Sequence, residues 1–167
     1  EGNVNWFDTT ENQNYALTDD GIWYNVAISP LGDYIALVPK PESYPSTIAI
    51  YDFAAESMTL RALSIPTTTE GAEIIPDYAE ILDWSTEGGW LIFDCTFALQ
   101  DSYGAESNTW GIYLTNVSED AVVPIFQPDV QYAVGNPSFS STRDNVIAFD
   151  VIDYSSDQVG YYIYTYD

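Results

Sequence analysis

The sequence predicts an all-β chain built from repeats of a four-stranded antiparallel unit. Three observations carry this. Segments of the same make recur three times along the chain, β-branched and aromatic residues are dense, and no stretch follows the 3.6-residue period of a helix. The recurring segments are VAISPLGDYIALV (26–38), ILDWSTEGGWLIFD (81–94) and NPSFSSTRDNVIAFD (136–150). Each has an apolar strand, a serine with a short polar turn, and a second strand of nearly unbroken apolar residues. Ser29, Ser85 and Ser141 recur at intervals of 56 residues; matching Ser140 instead makes the third turn one residue longer.

The turns have hairpin chemistry. Pro30 presets φ at its turn position, and Gly32 or Gly88-Gly89 supplies a positive φ. In the third repeat Asp144-Asn145 is expected to play that part, since Asp and Asn tolerate the left-handed region. A third strand follows each pair, at STIAIYDF (46–53), TWGIYLTNV (109–117) and GYYIYTYD (160–167). Ile50-Tyr51, Ile112-Tyr113 and Ile163-Tyr164 read as equivalent. A weaker fourth strand follows at MTLRALSI (58–65) and AVVPIFQ (121–127). The second strands YIALV, WLIF and VIAF are apolar at successive positions, as expected of strands covered on both faces.

Stacked blades of a β-propeller cover their inner strands in this way, so the fold class expected is a β-propeller of four-stranded antiparallel blades, with about three blades present. Residues 1–20 read as the third and fourth strands of a preceding blade, 21–66 and 67–128 as full blades, and 129–167 as a partial one. Three blades fall short of the roughly four to eight that close a ring. The sequence therefore implies the remainder of a larger propeller, in the same or another chain.

The residues Leu17-Thr18-Asp19, Ser29-Pro30-Leu31-Gly32-Asp33-Tyr34-Ile35-Ala36 and Ile50-Tyr51-Asp52 resemble the TolB-like propeller repeat. The resemblance spans nearly the whole chain and is tightest in the first full repeat. Thr86-Glu87-Gly88 and Ser141-Thr142-Arg143 depart from the Pro-Asp-Gly form. The resemblance implies a periplasmic or secreted protein-binding platform, or a gating domain of a prolyl-oligopeptidase-type hydrolase. A fold hosts many functions, so the site must decide between them.

Composition narrows the partners. Three basic residues face 26 acidic ones, for a formal charge of −23. Nucleic acids and anionic membrane surfaces are attracted by Lys and Arg, so both are excluded as partners. No apolar run is long enough for membrane insertion as a helix, and EGNVNWFDTT has neither the basic nor the apolar region of a signal peptide, so any such peptide is expected to have been removed or to lie upstream. A protein partner with cationic segments suits the charge, and so does a solvated acidic surface. The single cysteine, Cys95, lies in the apolar run LIFDCTF and reads as a small buried hydrophobe.

Chemistry is scarce. Histidine is absent, which removes Ser-His-Asp and Cys-His catalysis and His-ligated metals. There is no GxSxG elbow and no phosphate-binding glycine loop. The expectation is no enzymatic activity; a glycosidase carboxylate pair is the remaining alternative. No cofactor is expected, with one candidate Ca²⁺ site at Asp150, Asp153 and Asp157, where hard oxygens share a short stretch. Asn116-Val117-Ser118 matches a glycosylation sequon.

In a four-stranded blade, the loops joining second to third strands leave on the same face as those joining one blade to the next. These are the longer segments here and the expected binding face, since long loops on a rigid scaffold usually carry recognition. They hold the candidate binding residues Glu42, Tyr44, Asp77, Tyr78, Asp101, Tyr103, Glu106, Asp153, Tyr154 and Asp157, together with Glu73. Tyrosine beside carboxylates suits cationic peptide segments, or sugars lying flat on the rings.

Overall fold

In the computed structural model, residues 2–40, 42–44, 46–63, 73–100, 104, 106–119, 121–127 and 131–167 are described. Among them every regular element is a β-strand. A two-stranded sheet of β1 (Asn5–Asp8) and β2 (Gln13–Ala16) comes first. It is followed by a four-stranded sheet of β3 (Trp23–Ile28), β4 (Tyr34–Pro39), β5 (Thr47–Asp52) and β6 (Ser57–Ala62). The next sheet contains β7 (Glu73–Trp84), β8 (Trp90–Gln100), β9 (Glu106–Asn116) and β10 (Val122–Phe126). The last has β11 (Tyr132–Ser140), β12 (Arg143–Asp153) and β13 (Gly160–Tyr166). Strands pair in chain order, always antiparallel, so each sheet is a simple meander.

The sheets stack face to face, and the strand sequences explain why. Ala36 and Val38 of β4, Phe93, Cys95 and Phe97 of β8 and Tyr113 of β9 are all buried in one cluster between the two full sheets. The alternate residues Ile92 and Ile112 face the other way, into a cluster with Val134, Ile147 and Phe149. The central strands thus bury both faces, and each such apolar side chain contributes roughly 1.5–3 kcal/mol. Polar links add direction to the stack. Trp84 donates its indole N–H to the Ala27 carbonyl at 3.1 Å, and Asn25 Nδ2 donates to the Glu80 carbonyl at 2.6 Å. Asp83 Oδ2 accepts from the Phe139 N–H at 2.7 Å and from Ser138 Oγ at 2.9 Å.

Two of the three serine turns repeat atom for atom. Ser29 accepts the Gly32 N–H at 2.9 Å and the Tyr34 N–H on its Oγ at 3.0 Å. Ser85 does the same with Gly88 at 2.8 Å and Trp90 at 3.1 Å. Gly32 and Gly88 have φ of +77° and +72°, as this turn requires. The third turn differs from expectation. Ser140 pairs directly with Arg143, so Ser141-Thr142 form the tip. Asp144 and Asn145 lie within β12, where a register shift after Phe139 absorbs the extra residues. The turn is shorter than the others, not longer.

The third-strand alignment also needs a shift in the first repeat. Asp52 pairs with Tyr34, and Asn116 runs opposite Trp90, each leading into a turn closed by its own side chain. Ile50, opposite Ala36, therefore matches Leu114 opposite Ile92, and Ile48 matches Ile112 opposite Asp94. The sequon residue Asn116 accepts from the Ser118 N–H at 2.8 Å and from Ser118 Oγ at 2.6 Å.

Candidate functional site

The serine turns gather on one face of the stack. A Cβ on Gly88 would meet Ser29 Cβ at 3.4 Å, and Thr86 Oγ1 donates to the Ser140 carbonyl at 3.3 Å. The opposite face carries the longer connections, and these are tied to one another. Lys40 Nζ donates to the Gly21 carbonyl at 2.7 Å, and the Tyr154 N–H donates to the Gln131 carbonyl at 2.7 Å.

On that face Glu42 is exposed, Tyr44 is 47% exposed and Tyr154 44% exposed. Tyr78 is half-buried against Tyr24, ring to edge at 6.4 Å. Asp153 closes the 154–159 loop by accepting the Ser155 N–H at 2.8 Å. Hydrogen bonds from the Ser155 side chain and backbone hold its carboxyl below the ordinary value. Asp157 is exposed in the same loop. Glu73, Asp77, Tyr78 and Glu106, expected in loops, belong to strands: β7 starts at Glu73 and β9 at Glu106. Asp101 and Tyr103 lie outside the described residues.

The candidate Ca²⁺ set does not assemble. Asp150 and Asp153 are three residues apart on β12, and odd spacing on a strand sends side chains to opposite faces of the sheet. Asp150 Oδ2 accepts from Asn136 Nδ2 at 2.9 Å, while Asp153 is spent on its own loop. Among the described residues no three Asp, Glu, His or Cys side chains gather as a metal ion requires.

A second candidate site lies between the last two sheets. It is a cleft of about 630 Å³, within the roughly 300–1,000 Å³ range of ligand pockets. Glu80 of β7, Asp94 of β8 and Trp110 of β9 line one side. Residues 133–136 of β11, 150–152 of β12 and 161–163 of β13 line the other. Asp94 is buried at 3% exposure, and its Oδ2 accepts the Asn136 N–H at 2.8 Å. Asn136 has φ of +51°, and its side chain reaches Asp150, so one asparagine bridges both carboxylates. Of the earlier candidates only Asp150 is here. The remaining lining residues come from distant segments, although Asp94 and Asp150 close the repeat segments WLIFD and VIAFD at matching places.

No family model matches this sequence, and no curated protein does. Solved structures share its fold. The tricorn protease matches 87% of the chain at a TM-score of 0.61 and 10% identity, the chain spanning 12% of that protein. A protein from Clostridium novyi NT described as a conserved lipoprotein matches 89% of the chain at a TM-score of 0.57 and 12% identity, and 88% of its own length is covered. A protein from Agrobacterium tumefaciens described as TolB overlaps 98% of the chain and 70% of its own at 16% identity, with a TM-score of 0.38. The molecule is an all-β array of antiparallel β-propeller blades.

Proposed function

We propose that this protein is a non-enzymatic β-propeller module that binds or scaffolds another protein, in an extracellular or periplasmic setting. The observation that carries the reading is the long-loop face, which exposes Tyr44 next to Glu42 in one loop and Tyr154 next to Asp153 and Asp157 in another. Amphipathic rings beside unneutralised carboxylates favour a partner segment rich in Lys and Arg. The absence of histidine supports binding over catalysis. Likeness to a chain described as a lipoprotein supports the extracytoplasmic setting.

The test is retention of the protein on an immobilised array of basic peptides, with acidic peptides of matched length beside them. The wild type should be retained on the basic peptides alone. Asp101, Glu106, Asp153 and Asp157 changed together to Lys should weaken retention. Equal retention of wild type and variant refutes the face assignment, and turnover on an esterase, peptidase or glycoside panel refutes the non-enzymatic reading.

The likeness to the tricorn protease favours a second reading, a propeller part of a larger hydrolase. A nucleophile–base pair encoded in the same polypeptide would support it.

A further inference from the structure

We propose that the open edge of β13 docks an extended segment of a partner protein, with Lys or Arg at both ends of an apolar core; this rests on reading the protein as a binding module. The segment adds antiparallel to β13, as the fourth strand of the last sheet. In the two preceding sheets the third strands β5 and β9 each carry a fourth, β6 and β10. Among the described residues β13 carries none, and the last sheet ends on it. Alternate backbone N–H and C=O groups of that strand point out of the sheet edge, as a template for pairing.

The other strand edges are blunted, and that of β13 is not. β10 has Pro124 with a register shift beside it, and β11 has Pro137 and two shifts. β3 and β7 have shifts of their own, β6 turns the charge of Arg61 inward, and β1 and β2 are only four residues long. β13 pairs with β12 in unbroken register from Gly160 to Tyr166 and contains neither proline nor lysine. Its side chains suit a neighbour on both faces of the sheet. Tyr162, Tyr164 and Tyr166 share one face, with Tyr164 stacked on Phe149 at 6.2 Å and Tyr166 edge-on to Phe126 at 5.7 Å. Tyr161 and Ile163 stand on the other, 75% and 79% exposed. Aromatic and β-branched residues opposite them on an added strand would extend both surfaces.

Charge selects the occupant. Acidic residues flank the strand: Asp153, opposite Gly160, and exposed Asp157 at one end, exposed Asp167 at the other. At about 3.3 Å per residue these ends stand roughly 20 Å apart. The basic residue of this sheet, Arg143, sits at the tip of the β11–β12 hairpin and not on β13. A segment with basic residues about seven positions apart therefore meets both acidic ends while its core pairs with the tyrosines. A second copy of this chain is the self-complementary alternative, since two antiparallel β13 strands could pair about a two-fold axis. That pairing sets the Asp167 end of each copy against the Asp153 end of the other and joins two chains of charge −23. The cationic segment is favoured over it for that reason.

The experiment titrates the intact protein with the peptide acetyl-Lys-Thr-Val-Thr-Val-Thr-Val-Lys-amide, followed by amide NMR shifts and hydrogen exchange. The arms are the same peptide N-methylated throughout its core and a counterpart with Glu in place of both Lys. The parent peptide should shift the amide signals of residues 161–166 and slow their exchange. The N-methylated peptide, which lacks the donors, should bind at least about tenfold more weakly, and the glutamate peptide should too. Ile163→Asp adds a negative charge at an exposed position, yet it should lower affinity at least about fivefold with the thermal midpoint unchanged, because a charge there opposes strand addition. Equal binding of the parent and N-methylated peptides overturns the proposal, as does equal or tighter binding of the glutamate peptide, or an unchanged Ile163→Asp variant. A dimer in sedimentation without peptide, with β13 amides already protected, gives the edge to a second copy and overturns it as well. Glu42→Gln with Tyr44→Ala should lower retention on the basic array and leave peptide protection of β13 intact, so failure of the loop face and failure of the edge are read separately.

Discussion

Arg61 offers the most exacting test of how the sheets are joined. It lies on β6 at 4% exposure and reaches across to the neighbouring sheet. Its Nη1 donates to Thr115 Oγ1 at 2.7 Å and to the Asn116 carbonyl at 2.5 Å, and its Nη2 donates to the Val117 carbonyl at 2.9 Å. One side chain thus caps the end of β9 from another blade. Arg61→Met keeps most of the aliphatic stem and removes the donors. Hydrogen bonds from a charged donor contribute about 1.5–3 kcal/mol each, but bonds sharing one side chain do not add fully. Residues 116 and 117 are only half-buried, so water can replace part of what is lost. The expected destabilisation is about 3 kcal/mol. At a urea m-value of about 2 kcal/mol/M, the unfolding midpoint followed by tryptophan fluorescence falls by roughly 1.5 M. Arg143→Met, at an exposed site, should change stability by less than about 0.5 kcal/mol. An Arg61→Met loss below about 1 kcal/mol, or one no larger than that of Arg143→Met, would refute the capping role.

Three further outcomes follow from buried or looped polar groups. Tyr113 is fully buried with a hydroxyl that has no partner among the described residues, so Tyr113→Phe should leave stability unchanged or raise it by up to about 1 kcal/mol in urea unfolding. Burial also raises the Tyr113 phenol well above its ordinary value, so its contribution to stability is complete below pH 10 and is lost above it. In an ultraviolet alkaline titration this tyrosine should ionise only as the protein unfolds. Ser85→Ala removes a buried acceptor of the Trp90 N–H and should cost about 1–2 kcal/mol; a loss within error would refute the shared turn design. Asp153, held low by Ser155, favours the closed loop above the carboxylate range and releases it as pH falls; the Ser155 amide shift should titrate with a midpoint below 3.8, and a higher midpoint would contradict the hydrogen bonds.

The repeat, the serine hairpins and the unbroken apolar second strands were all legible, because turn chemistry and two-sided burial leave local marks. The reach of the middle sheet was not. The segment ALQDSYGAESN reads as a loop from its polarity, yet Ala98 pairs with Asn108, Leu99 with Ser107 and Gln100 with Glu106. Backbone bonds make that ladder, and Ser107 and Asn108 simply face water. Asp144 and Asn145 misled for the opposite reason: turn-prone residues were placed in a strand by a bulge that pairing, not propensity, decides. The cleft is non-local by construction, since its lining from β8, β9 and β11 comes together only when two sheets stack. Its trace in the sequence was the aspartate of WLIFD and VIAFD, which stands opposite Ile112 in one sheet and Ile163 in the next. In the first full sheet the same place is held by buried Val38. A charge entering the apolar second strand twice at the same place was the available signal.

The stacked-blade architecture underlies every functional statement, and native-state hydrogen exchange tests it most directly. Amides of Ile35–Val38, Leu91–Phe97 and Ile112–Tyr113 should exchange slowest, as strands covered on both faces, and protection should continue along β8 to Leu99. β13, exposed along most of its length, should exchange faster. Fast exchange throughout residues 96–99, or protection of β13 equal to that of β8, would contradict the stack and with it the cleft.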